Sequence, residues 1–470
     1  MRKLQQAGLI LVGLIAGILI SLNFSATAQK GEVAAPLPVE ELRTFADVFS
    51  AIKQGYVEPI DDKKLITYAI SGMLANLDPH SAYLDADAFK DLQVSTQGEF
   101  GGLGIEVGME DGIVKVISPI EDTPAFRAGV KSGDLIVKLD DTPVKGMTLN
   151  DAVKRMRGKP KTPITLTILR KGEASPLVLT LTRDKIKVQS VKSKLIEPGY
   201  GYLRVTQFQE ETVADVVRHL DRLYKQDKEE KGDGLRGLVL DLRNDPGGLL
   251  HAAIGVAAAF VPANSVVVST DGRTEDAKRR YVASAADYLR GHGDDVLKGL
   301  PTGVKSVPMV VLVNGGSASA SEIVAGALQD QKRAIIVGTQ TFGKGSVQTI
   351  LPLSNSTAIK LTTARYYTPS GRSIQAKGIA PDVVVEETAG GDSRDHIREA
   401  DLQRHLENDT DKAGAPAAKP RAKPKAKDGT KDEGDEEAPK TPVVEFASKN
   451  DYQLGEAMNL LKAWQIIQRK

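Results

Sequence analysis

The chain has 470 residues, of which 62 are lysine or arginine and 61 are aspartate or glutamate, so its net charge is +1. This length predicts two to four domains. A charge so close to zero argues against nucleic acid as the main partner. Because the chain has no cysteine, it can form neither a disulfide framework nor a thiolate metal site, and it offers no cysteine for lipidation.

The sequence pattern of residues 1–29 is typical of an export signal. Arg2 and Lys3 precede an apolar run, Leu9 to Ile20, and Ala26-Thr27-Ala28 matches a cleavage site. An uncleaved membrane anchor is the alternative, because the apolar stretch from Ala7 to Leu22 is long for a signal core, although it is short of the ~20 residues of a comfortable span. With either outcome the rest of the chain is exported, which in a bacterium means the periplasm, and only this segment contacts the membrane.

Residues 36–95 predict a helical region that precedes the first compact domain. Apolar side chains recur with the helical period from Leu42 to Leu77, with a break at Tyr56 to Pro59. A D-P-H-S motif follows at Asp78 to Ser81. His80 in this motif invites a catalytic interpretation, but we favour the alternative that it is a turn residue capping the next helix.

Residues 96–186 show short strand-like runs and two short helical segments. The pattern S-P-I-E-D-T-P-A-F-R-A-G-V-K-S-G-D, from Ser118 to Asp134, is a signature of bacterial PDZ domains, which this region resembles. The resemblance implies a loop whose backbone N–H groups bind a terminal carboxylate, while the ligand adds as a strand to the sheet edge. The residues that match this loop are Gly102, Leu103, Gly104 and Ile105. An ordinary glycine-rich hairpin is the alternative. In relatives, an arginine near the position of Arg157 reports the position of the PDZ domain to the active site.

Residues 187–388 alternate apolar strand-like runs with amphipathic helical segments. This alternation predicts an α/β fold with a mostly parallel sheet and flanking helices, in which sites lie at the carboxyl ends of strands. One buried strand, Gly237 to Arg243, ends in Asn244-Asp245-Pro246-Gly247-Gly248. A glycine pair at a strand end that opens a helix bares backbone N–H groups, which suits an anion.

A βαβ unit further along the chain places serines at one turn and a lysine at the next. The apolar run from Met309 to Val313 ends in glycines, and the serines of S-A-S-A-S-E then start a helix. A serine beside the free N–H groups of a helix start suits an oxyanion, and a lysine acts as its base if burial lowers the lysine pKa. Composition alone does not separate Ser317, Ser319 and Ser321. A serine-rich helix cap followed by a solvated Lys344 is the alternative.

This segment resembles the catalytic core of the carboxy-terminal processing, or tail-specific, serine proteases. In that family the lysine follows the second serine by 25 residues, as it does here. The resemblance implies a nucleophile, a base and a residue that holds the base, which are Ser319, Lys344 and Gln348. It implies an oxyanion hole formed by Gly247 or Gly248 with the amide of Ala320, and supporting roles for Glu322, Asp330 and Thr341. Family members often have a second asparagine where Asp245 stands.

The resemblance also implies the architecture and the partners. It predicts an α/β protease core of βαβ units similar to those of ClpP and crotonase, with an inserted PDZ domain, and D-P-H-S is a family hallmark ahead of that domain. Because amino-terminal helices pair protomers in relatives, we expect a homo-oligomer, and an adaptor lipoprotein is left open as a partner. We expect no cofactor and no metal, since the chain lacks an H-E-x-x-H pattern.

These features together predict a periplasmic serine endopeptidase that cleaves proteins at or near their C-termini. Its PDZ domain would bind substrate tails and gate the activity. A non-catalytic PDZ scaffold on a protease fold is the alternative. A Ser–His–Asp arrangement has less support, because the histidines lack a partner motif.

The last part of the chain predicts no catalytic element. Arg372 lies in a T-P-S-G-R turn, where a structural role is favoured over an anion site. Residues 389–443 contain almost no apolar side chains and predict a disordered charged linker. Residues 444–470 predict a terminal helix for docking or oligomerisation, in which Leu454, Met458 and Leu461 share a face.

Overall fold

The computed structural model describes residues 37–110, 112–120, 122–230, 232–291, 293–354, 356–389, 397–409 and 446–468. The chain divides into two compact units, Met1–Ala69 and Ile70–Lys470. The expected export segment, residues 1–29, lies outside the described residues, as does most of the expected linker. Within the ranges given above, no helix is both long enough and apolar enough to span a membrane.

The first unit consists of helix α1, Val39–Gly55, and the start of helix α2, Asp62–Ala75. Helix α1 has acidic side chains in its first turn and Lys53 in its last, which complements the helix dipole. None of its residues is buried. The apolar side chains that the sequence predicted on one face are therefore exposed, and they include Leu42, Phe45, Val48 and Ile52.

The second unit opens with a tight turn built on Asp78. Its carboxylate accepts hydrogen bonds from the backbone N–H groups of His80 and Ser81. Strand β1, Ala82–Leu84, and helix α3, Ala86–Gln97, follow. The expectation that His80 caps this helix is wrong, because the side chain of Asp85 caps it, accepting from Ala88 N at 2.8 Å.

A PDZ module with its own core follows. Its strands are β2 Glu99–Gly102, β3 Ile105–Glu110, β4 Ile113–Pro119, β5 Leu135–Leu139, β6 Thr142–Pro143, β7 Pro163–Leu169, β8 Leu177–Thr182 and β9 Asp184–Lys187. Its helices are α4 Pro124–Arg127 and α5 Leu149–Met156. The main sheet has the order β3-β4-β5-β7-β8, and β2 pairs with β9 in a separate two-stranded sheet. Strand β3 therefore lies at a sheet edge, where a peptide can pair.

The protease body contains a six-stranded sheet of order β10-β11-β12-β15-β16-β19. Its strands are β10 Val191–Glu197, β11 Tyr200–Val205, β12 Gly237–Asp241, β15 Met309–Val313, β16 Ile335–Gly338 and β19 Val383–Val384. All neighbours from β11 to β19 pair in parallel, and β10 is antiparallel to β11. The structure thus has the expected α/β body with an inserted PDZ domain.

Both faces of this sheet are covered, which explains its nearly continuous apolar strands. Leu240 and Val311 point into a core formed with helices α6 Thr212–Glu229, α7 Leu250–Phe260 and α9 Ala320–Asp330. The alternate residues Val239 and Val310 point to the opposite face. There they pack against the C-terminal helix α10, Tyr452–Gln468. This last helix is a core element of the body, docked as its apolar face predicts.

A second sheet, which the sequence did not predict, is antiparallel and has the order β1-β18-β13-β14, with β17 also paired to β18. Its further strands are β13 Val266–Gly272, β14 Arg279–Val282, β17 Ser346–Pro352 and β18 Ala358–Tyr367. The short helix α8, Ala285–Tyr288, follows β14. Because β1 comes from the turn after Asp78, this sheet joins a segment ahead of the PDZ module to the strands that follow the lysine.

One boundary predicted from the sequence is wrong. Residues 397–409 fall inside the expected disordered linker, but they are packed against the body, and Glu399 among them is fully buried. Low apolar content predicted disorder there, yet this segment is held by polar contacts, which a hydropathy pattern does not show. The remaining linker residues, 390–396 and 410–443, lie outside the described residues.

Candidate active site

The predicted nucleophile lies at the turn between β15 and α9. Ser319 occupies the position that caps α9, with φ 57° and ψ −111°. A positive φ is costly for a residue with a side chain, so the surrounding structure must hold it in place. Its backbone N–H donates to Glu322 Oε2 at 2.8 Å, one turn into the helix. The strained turn leaves Ser319 half-buried, whereas its neighbours Ala318 and Ala320 are buried.

The two rival serines have structural contacts that use their hydroxyl groups. Ser317 Oγ donates to Leu242 O at 2.8 Å and accepts from Asn314 N at 3.0 Å. Ser321 Oγ donates to Asp245 O at 2.9 Å. Both side chains are fully buried. Local composition left the three serines equivalent, and the fold now separates Ser319 from the other two.

The lysine loop, residues 339–345, meets the nucleophile turn at the carboxylate of Glu322. Glu322 Oε1 accepts from Thr341 Oγ1 at 2.6 Å and from Gly343 N at 2.7 Å. Glu322 Oε2 accepts from Lys344 N at 2.9 Å as well as from Ser319 N. The two amide nitrogens share one oxygen and so lie at most about 6 Å apart. Burial raises the pKa of Glu322 to about 7, although the hydrogen bonds it accepts oppose that rise.

The surroundings of Lys344 favour the neutral form of its amine. Burial lowers the pKa of its amine below the ordinary value of 10.5, and the positive charge of Lys360 adds to the effect. The carboxylates of Glu399, Glu322 and Asp78 act in the opposite direction. Within the part of the chain that the structure describes, Lys344 Nζ has no hydrogen-bond partner.

The contacts expected among the side chains of Ser319, Lys344 and Gln348, the three predicted catalytic residues, are not formed in the described residues. Ser319 Oγ lies 2.8 Å from Tyr366 OH, and its hydrogen-bond partner is therefore a tyrosine. Gln348, which was expected to hold Lys344, instead donates from Nε2 to Ser346 Oγ at 3.0 Å and to Thr362 Oγ1 at 3.4 Å. The register of β17 and β18 shifts at a β-bulge between Val347 and Gln348, so Gln348 lies opposite Thr362. The fold brings the residues into one region without joining the side chains.

The glycine pair lies directly against the nucleophile turn. A Cβ atom on Gly247 would be 2.8 Å from Ala320 N and 2.8 Å from Ser319 Cβ. The Gly247 N–H is not available for an oxyanion, because it donates to Asp245 Oδ1 at 2.8 Å. Among the described residues, neither Gly248 N nor Ala320 N has a hydrogen-bond acceptor. These two N–H groups fit the role of oxyanion donors, and the geometry favours Gly248 over Gly247.

Asp245 stands where relatives often have asparagine, and its surroundings favour a neutral side chain. Burial raises the pKa of its carboxyl group well above the ordinary value. Its Oδ2 is buried without a partner in the described structure. A protonated carboxyl group, like an amide, combines one acceptor with a donor, so Asp245 can hold the oxyanion loop as asparagine would.

Some of the remaining predicted site residues lie close to Ser319 and the lysine loop, and others lie far from them. Thr341 and Glu322 are at the junction of the two loops, as described above. Asp330 is at the far end of α9, about 16 Å along the helix from Ser319. It pairs with Arg372 and accepts from Ser370 N at 2.9 Å, so it fastens the turn at residues 368–372. The structural role predicted for Arg372 is confirmed.

The predicted ligand loop of the PDZ module connects its two sheets. Gly102 is the last residue of β2, Leu103 is buried, and Ile105 begins the edge strand β3. Gly104 has φ 76°, and a Cβ there would be 2.3 Å from the side chain of Thr123, so only glycine fits. The loop therefore lies beside an open sheet edge, as peptide binding by strand addition requires.

Three residues near the site were missed by the sequence analysis. Tyr366 contacts the nucleophile, Gln375 Oε1 accepts from Gly345 N at 3.0 Å, and Glu399 is buried close to Lys344. Tyr366 and Gln375 flank the T-P-S-G-R turn of Arg372, and the glycine and proline of that turn were the only local signal near them. Glu399 had no such signal. Among the described residues no group of three histidine, aspartate or glutamate side chains could hold a metal ion.

Comparisons with protein-family models match three parts of the chain. Residues 199–385 match the model of peptidase family S41, and residues 101–181 match a PDZ domain model. Residues 20–88 match the model described as the N-terminal domain of the activating protease CtpB. Ser319, Lys344 and the glycine pair all lie inside the first of these matches, whereas residues 397–409 and helix α10 lie beyond it.

Known proteins similar to the chain include two bacterial proteases. The carboxy-terminal-processing protease of Bartonella bacilliformis is 44% identical over 454 residues, which covers 95% of this chain and 94% of the relative. The carboxy-terminal processing protease CtpA of Bacillus subtilis is 34% identical over 370 residues, covering 78% of this chain and 73% of the relative. Among solved structures, a photosystem II D1 C-terminal processing protease is 32% identical, with a TM-score of 0.40, covering 73% of this chain and 93% of that one.

Proposed function

The chain belongs to peptidase family S41, as a carboxy-terminal processing serine protease with a PDZ domain, and on that premise we propose that Ser319 is its nucleophile and Lys344 its general base. One observation carries the proposal. The amides of Ser319 and Lys344 donate to the same carboxylate oxygen of Glu322, so the two loops are fastened side by side. Burial of Lys344 supplies the lowered pKa that a neutral amine base needs.

In the proposed mechanism the neutral amine of Lys344 takes the proton of Ser319 as Oγ attacks the peptide carbonyl. The tetrahedral oxyanion accepts hydrogen bonds from the N–H groups of Gly248 and Ala320. Lys344 then gives the proton to the leaving amine, which yields an acyl-enzyme. Water then attacks the acyl carbon as Lys344 takes its proton, and Lys344 returns that proton to Ser319 Oγ as the acyl–Oγ bond breaks, which releases the new carboxyl terminus and restores the neutral amine.

This mechanism requires two side chains to change partners. Ser319 Oγ must leave Tyr366 OH, and Gln348 must turn from Thr362 toward Lys344. We propose that rotations of side chains make this change, since the backbones of the two loops are already adjacent. We attribute the present arrangement to a resting state in which the base and the nucleophile are not yet joined.

Gating by the PDZ module is part of the proposal. A substrate tail would pair with β3 and place its carboxylate at the Gly102–Ile105 loop, which continues directly from β2. The module contacts helix α3 through two exposed ion pairs, Lys154 with Asp87 and Arg157 with Asp91. Exposed pairs contribute roughly 0–1 kcal/mol each, so ligand binding could displace the module at small cost.

The location and the assembly of the protein are proposed on the sequence evidence. Export of the chain to the periplasm follows from the signal pattern of residues 1–29. Pairing of two copies through the exposed apolar face of α1 is consistent with the absence of buried residues on that helix. An adaptor lipoprotein would be a further partner. Fractionation of cells and sedimentation of the full chain test the first two statements.

The test of the mechanism is cleavage of an unfolded protein such as casein by the full chain. Ser319→Ala and Lys344→Ala should each lower kcat/KM by at least ~10³-fold, because the members of a nucleophile–base unit act together. Ser306→Ala is the matched control, since it removes an exposed hydroxyl group. Activity of Ser319→Ala equal to that of the wild type would end the assignment.

The gating proposal has its own test. A peptide substrate with a free terminal carboxylate should be cleaved with a higher kcat/KM than the same peptide with an amidated terminus, because the amide lacks the charge that the loop binds. Equal rates for both peptides would show that the PDZ module does not read the terminus.

A further inference from the structure

Residues 397–409, which lie beyond the end of the S41 family match, bring a buried carboxylate to the lysine loop. The side chain of Glu399 is 1% exposed. Burial of a charged group is costly unless partners stabilise it. Burial alone would raise the pKa of Glu399, but hydrogen bonds from His80 and Gln375 more than offset it, so the pKa lies below its ordinary value and the group is ionised.

The partners of Glu399 come from three distant parts of the chain. Glu399 Oε2 lies 2.8 Å from His80 Nε2, in the D-P-H-S turn. Glu399 Oε1 accepts from Gln375 Nε2 at 2.9 Å. Its backbone N–H donates to Phe342 O at 3.1 Å, inside the lysine loop. His80, for which the proposed mechanism has no use, is thereby connected to the site.

Gln375 extends the hold on the lysine loop to the other side of Lys344. Its Oε1 accepts from Gly345 N at 3.0 Å, and its Nε2 also donates to Leu406 O at 3.1 Å. Asn408 Nδ2 donates to Gln375 O at 2.7 Å. The loop residues on both sides of Lys344, Phe342 and Gly345, are therefore fastened through the segment 397–409 and Gln375.

Glu399 also acts on Lys344 through its charge. The groups that face the amine are Lys360, whose positive charge favours the neutral amine, and Glu399, Glu322 and Asp78, whose negative charges favour the ammonium. Of these carboxylates, Glu399 has the largest effect. His80 Nε2 lies 2.8 Å from Glu399 Oε2, and it offsets the charge of Glu399 through this hydrogen bond and through the positive charge of the protonated imidazole.

We propose that Glu399, paired with His80, is a positioning residue for Lys344, which clamps the lysine loop and places a negative charge beside the amine. The inference rests on the proposed function, since it takes Lys344 as the base. The segment 397–409 is then part of the active-site scaffold. Its removal would take away the contact to Phe342 O and the groups that hold the side chain of Gln375 on the other side of Lys344.

The test compares the pH dependence of kcat/KM in full-length variants. Glu399→Gln keeps an acceptor for Gln375 but removes the charge, so Lys344 loses its proton more readily and the acid limb moves to lower pH, by about 0.5 to 1 unit. His80→Gln removes the imidazole and leaves the charge of Glu399 less compensated, so the acid limb moves to higher pH. A general loss of packing would not move the acid limbs of the two variants in opposite directions.

The clamp itself is tested by Glu399→Ala, which should lower kcat by roughly 10- to 100-fold with KM little changed, because the base is misplaced while substrate binding is intact. Asp401→Asn, an exposed carboxylate in the same segment, is the matched control and should behave as the wild type. Thermal unfolding of each variant separates misfolding from misplacement. If Glu399→Ala fails to fold, the pH limbs of Glu399→Gln and His80→Gln decide.

The outcomes also separate this inference from the proposed function. Unshifted acid limbs and a wild-type kcat in the Glu399 variants, with Ser319→Ala and Lys344→Ala inactive, would overturn the clamp alone. An active Lys344→Ala together with an inactive His80→Gln would transfer the base role to His80 and overturn both.

Discussion

The nucleophile turn, residues 314–320, and the lysine loop, residues 339–345, are adjacent in space but are held in opposite ways. The turn is held by groups of the two neighbouring parallel strands and the loops that end them, such as Leu242 O and Asp245 O, which accept from Ser317 and Ala318. The loop also has backbone contacts, but the N–H groups of Gly343, Lys344 and Gly345 donate to buried side chains from distant positions, which are Glu322 and Gln375, and the backbone of Glu399 donates to Phe342 O.

The difference indicates which part of the site is held rigidly by packing and which part can respond to its surroundings. A strained residue such as Ser319 persists only where tight packing leaves no alternative, and the glycine pair provides that packing. The lysine loop depends instead on hydrogen bonds to buried polar groups, two of which are accepted by the ionisable carboxylate of Glu322. We therefore expect activity to be sensitive to side-chain volume in the nucleophile turn and to charge and pH in the lysine loop.

The largest effect is expected from Gly247→Ala on the turn. The new Cβ would be 2.7 Å from Ala318 O and 2.8 Å from Ala320 N, on a backbone with φ 99°. Since real Cβ atoms do not approach so closely, the oxyanion donor must move, and kcat should fall by at least ~10²-fold. Gly371→Ala is the control, because it has φ 84° with open space around it. Equal kcat values in the two variants would show that volume at the turn is not decisive.

A smaller loss is expected from Glu322→Gln, where the turn and the loop meet. The amide keeps one oxygen acceptor but turns an N–H₂ group toward donors that need an acceptor, so both loops loosen and kcat should fall by roughly 10- to 100-fold. Glu275→Gln, whose parent side chain is 91% exposed, is the control. Steady-state kinetics at a fixed pH measures both. A change in KM alone would contradict a positioning role.

Because the lysine loop carries Lys344, kcat/KM of the wild type should rise as the pH increases from acid to neutral conditions. Because the pKa of Lys344 is lowered, the neutral base is populated at a pH below the ordinary 10.5, and kcat/KM falls about tenfold per unit as the pH drops below that lowered value. Glu322, with its pKa raised to about 7, acts in the same direction, since protonation below pH 7 removes acceptors from both loops. A rate that stays constant from pH 5 to 9 would contradict both assignments.

The smallest effect on activity is expected from Ser317→Ala. Its hydroxyl group donates to Leu242 O and accepts from Asn314 N, so its loss removes both buried hydrogen bonds and should lower the free energy of unfolding by about 1–3 kcal/mol. Activity of the folded fraction should stay within a few-fold of the wild type, because Ser317 does not face the substrate. Urea unfolding of Ser317→Ala and of the exposed control Ser306→Ala measures the difference. A loss of activity as complete as in Ser319→Ala would instead make Ser317 a rival nucleophile.

Several features of the site could be predicted from contiguous residues. Hydrophobic periodicity and turn-forming residues within short stretches of sequence predicted the strand before Ser317, the helix after Ser319 and the glycine pair after Asp245. The spacing of Ser319 and Lys344 carried the resemblance to the family. The PDZ loop at Gly104 was found through its resemblance to known PDZ domains, and the structure adds that a Cβ there would be 2.3 Å from the side chain of Thr123.

Other features depended on contacts between residues that are far apart in the sequence. Sequence patterns did not choose between Gly247 and Gly248, because the choice rests on a single hydrogen bond from Gly247 N to Asp245. They also misplaced residues 397–409 in a disordered linker, because polar segments hold their place through specific contacts and not through apolar burial. The hydrogen bond from Gln348 to Thr362 likewise depends on a β-bulge and a second sheet that the periodicity did not predict.

By itself the sequence determined the family, the α/β body with its inserted PDZ module and the residues that we assign to the chemistry, since these are properties of local pattern and spacing. Only the tertiary structure decided which hydroxyl groups are used up in packing, which amides remain free and what lies beside Lys344. The physical reason is that a buried polar group must find its partners wherever the fold brings them. His80 and Glu399 meet at 2.8 Å although they are 319 positions apart in the chain.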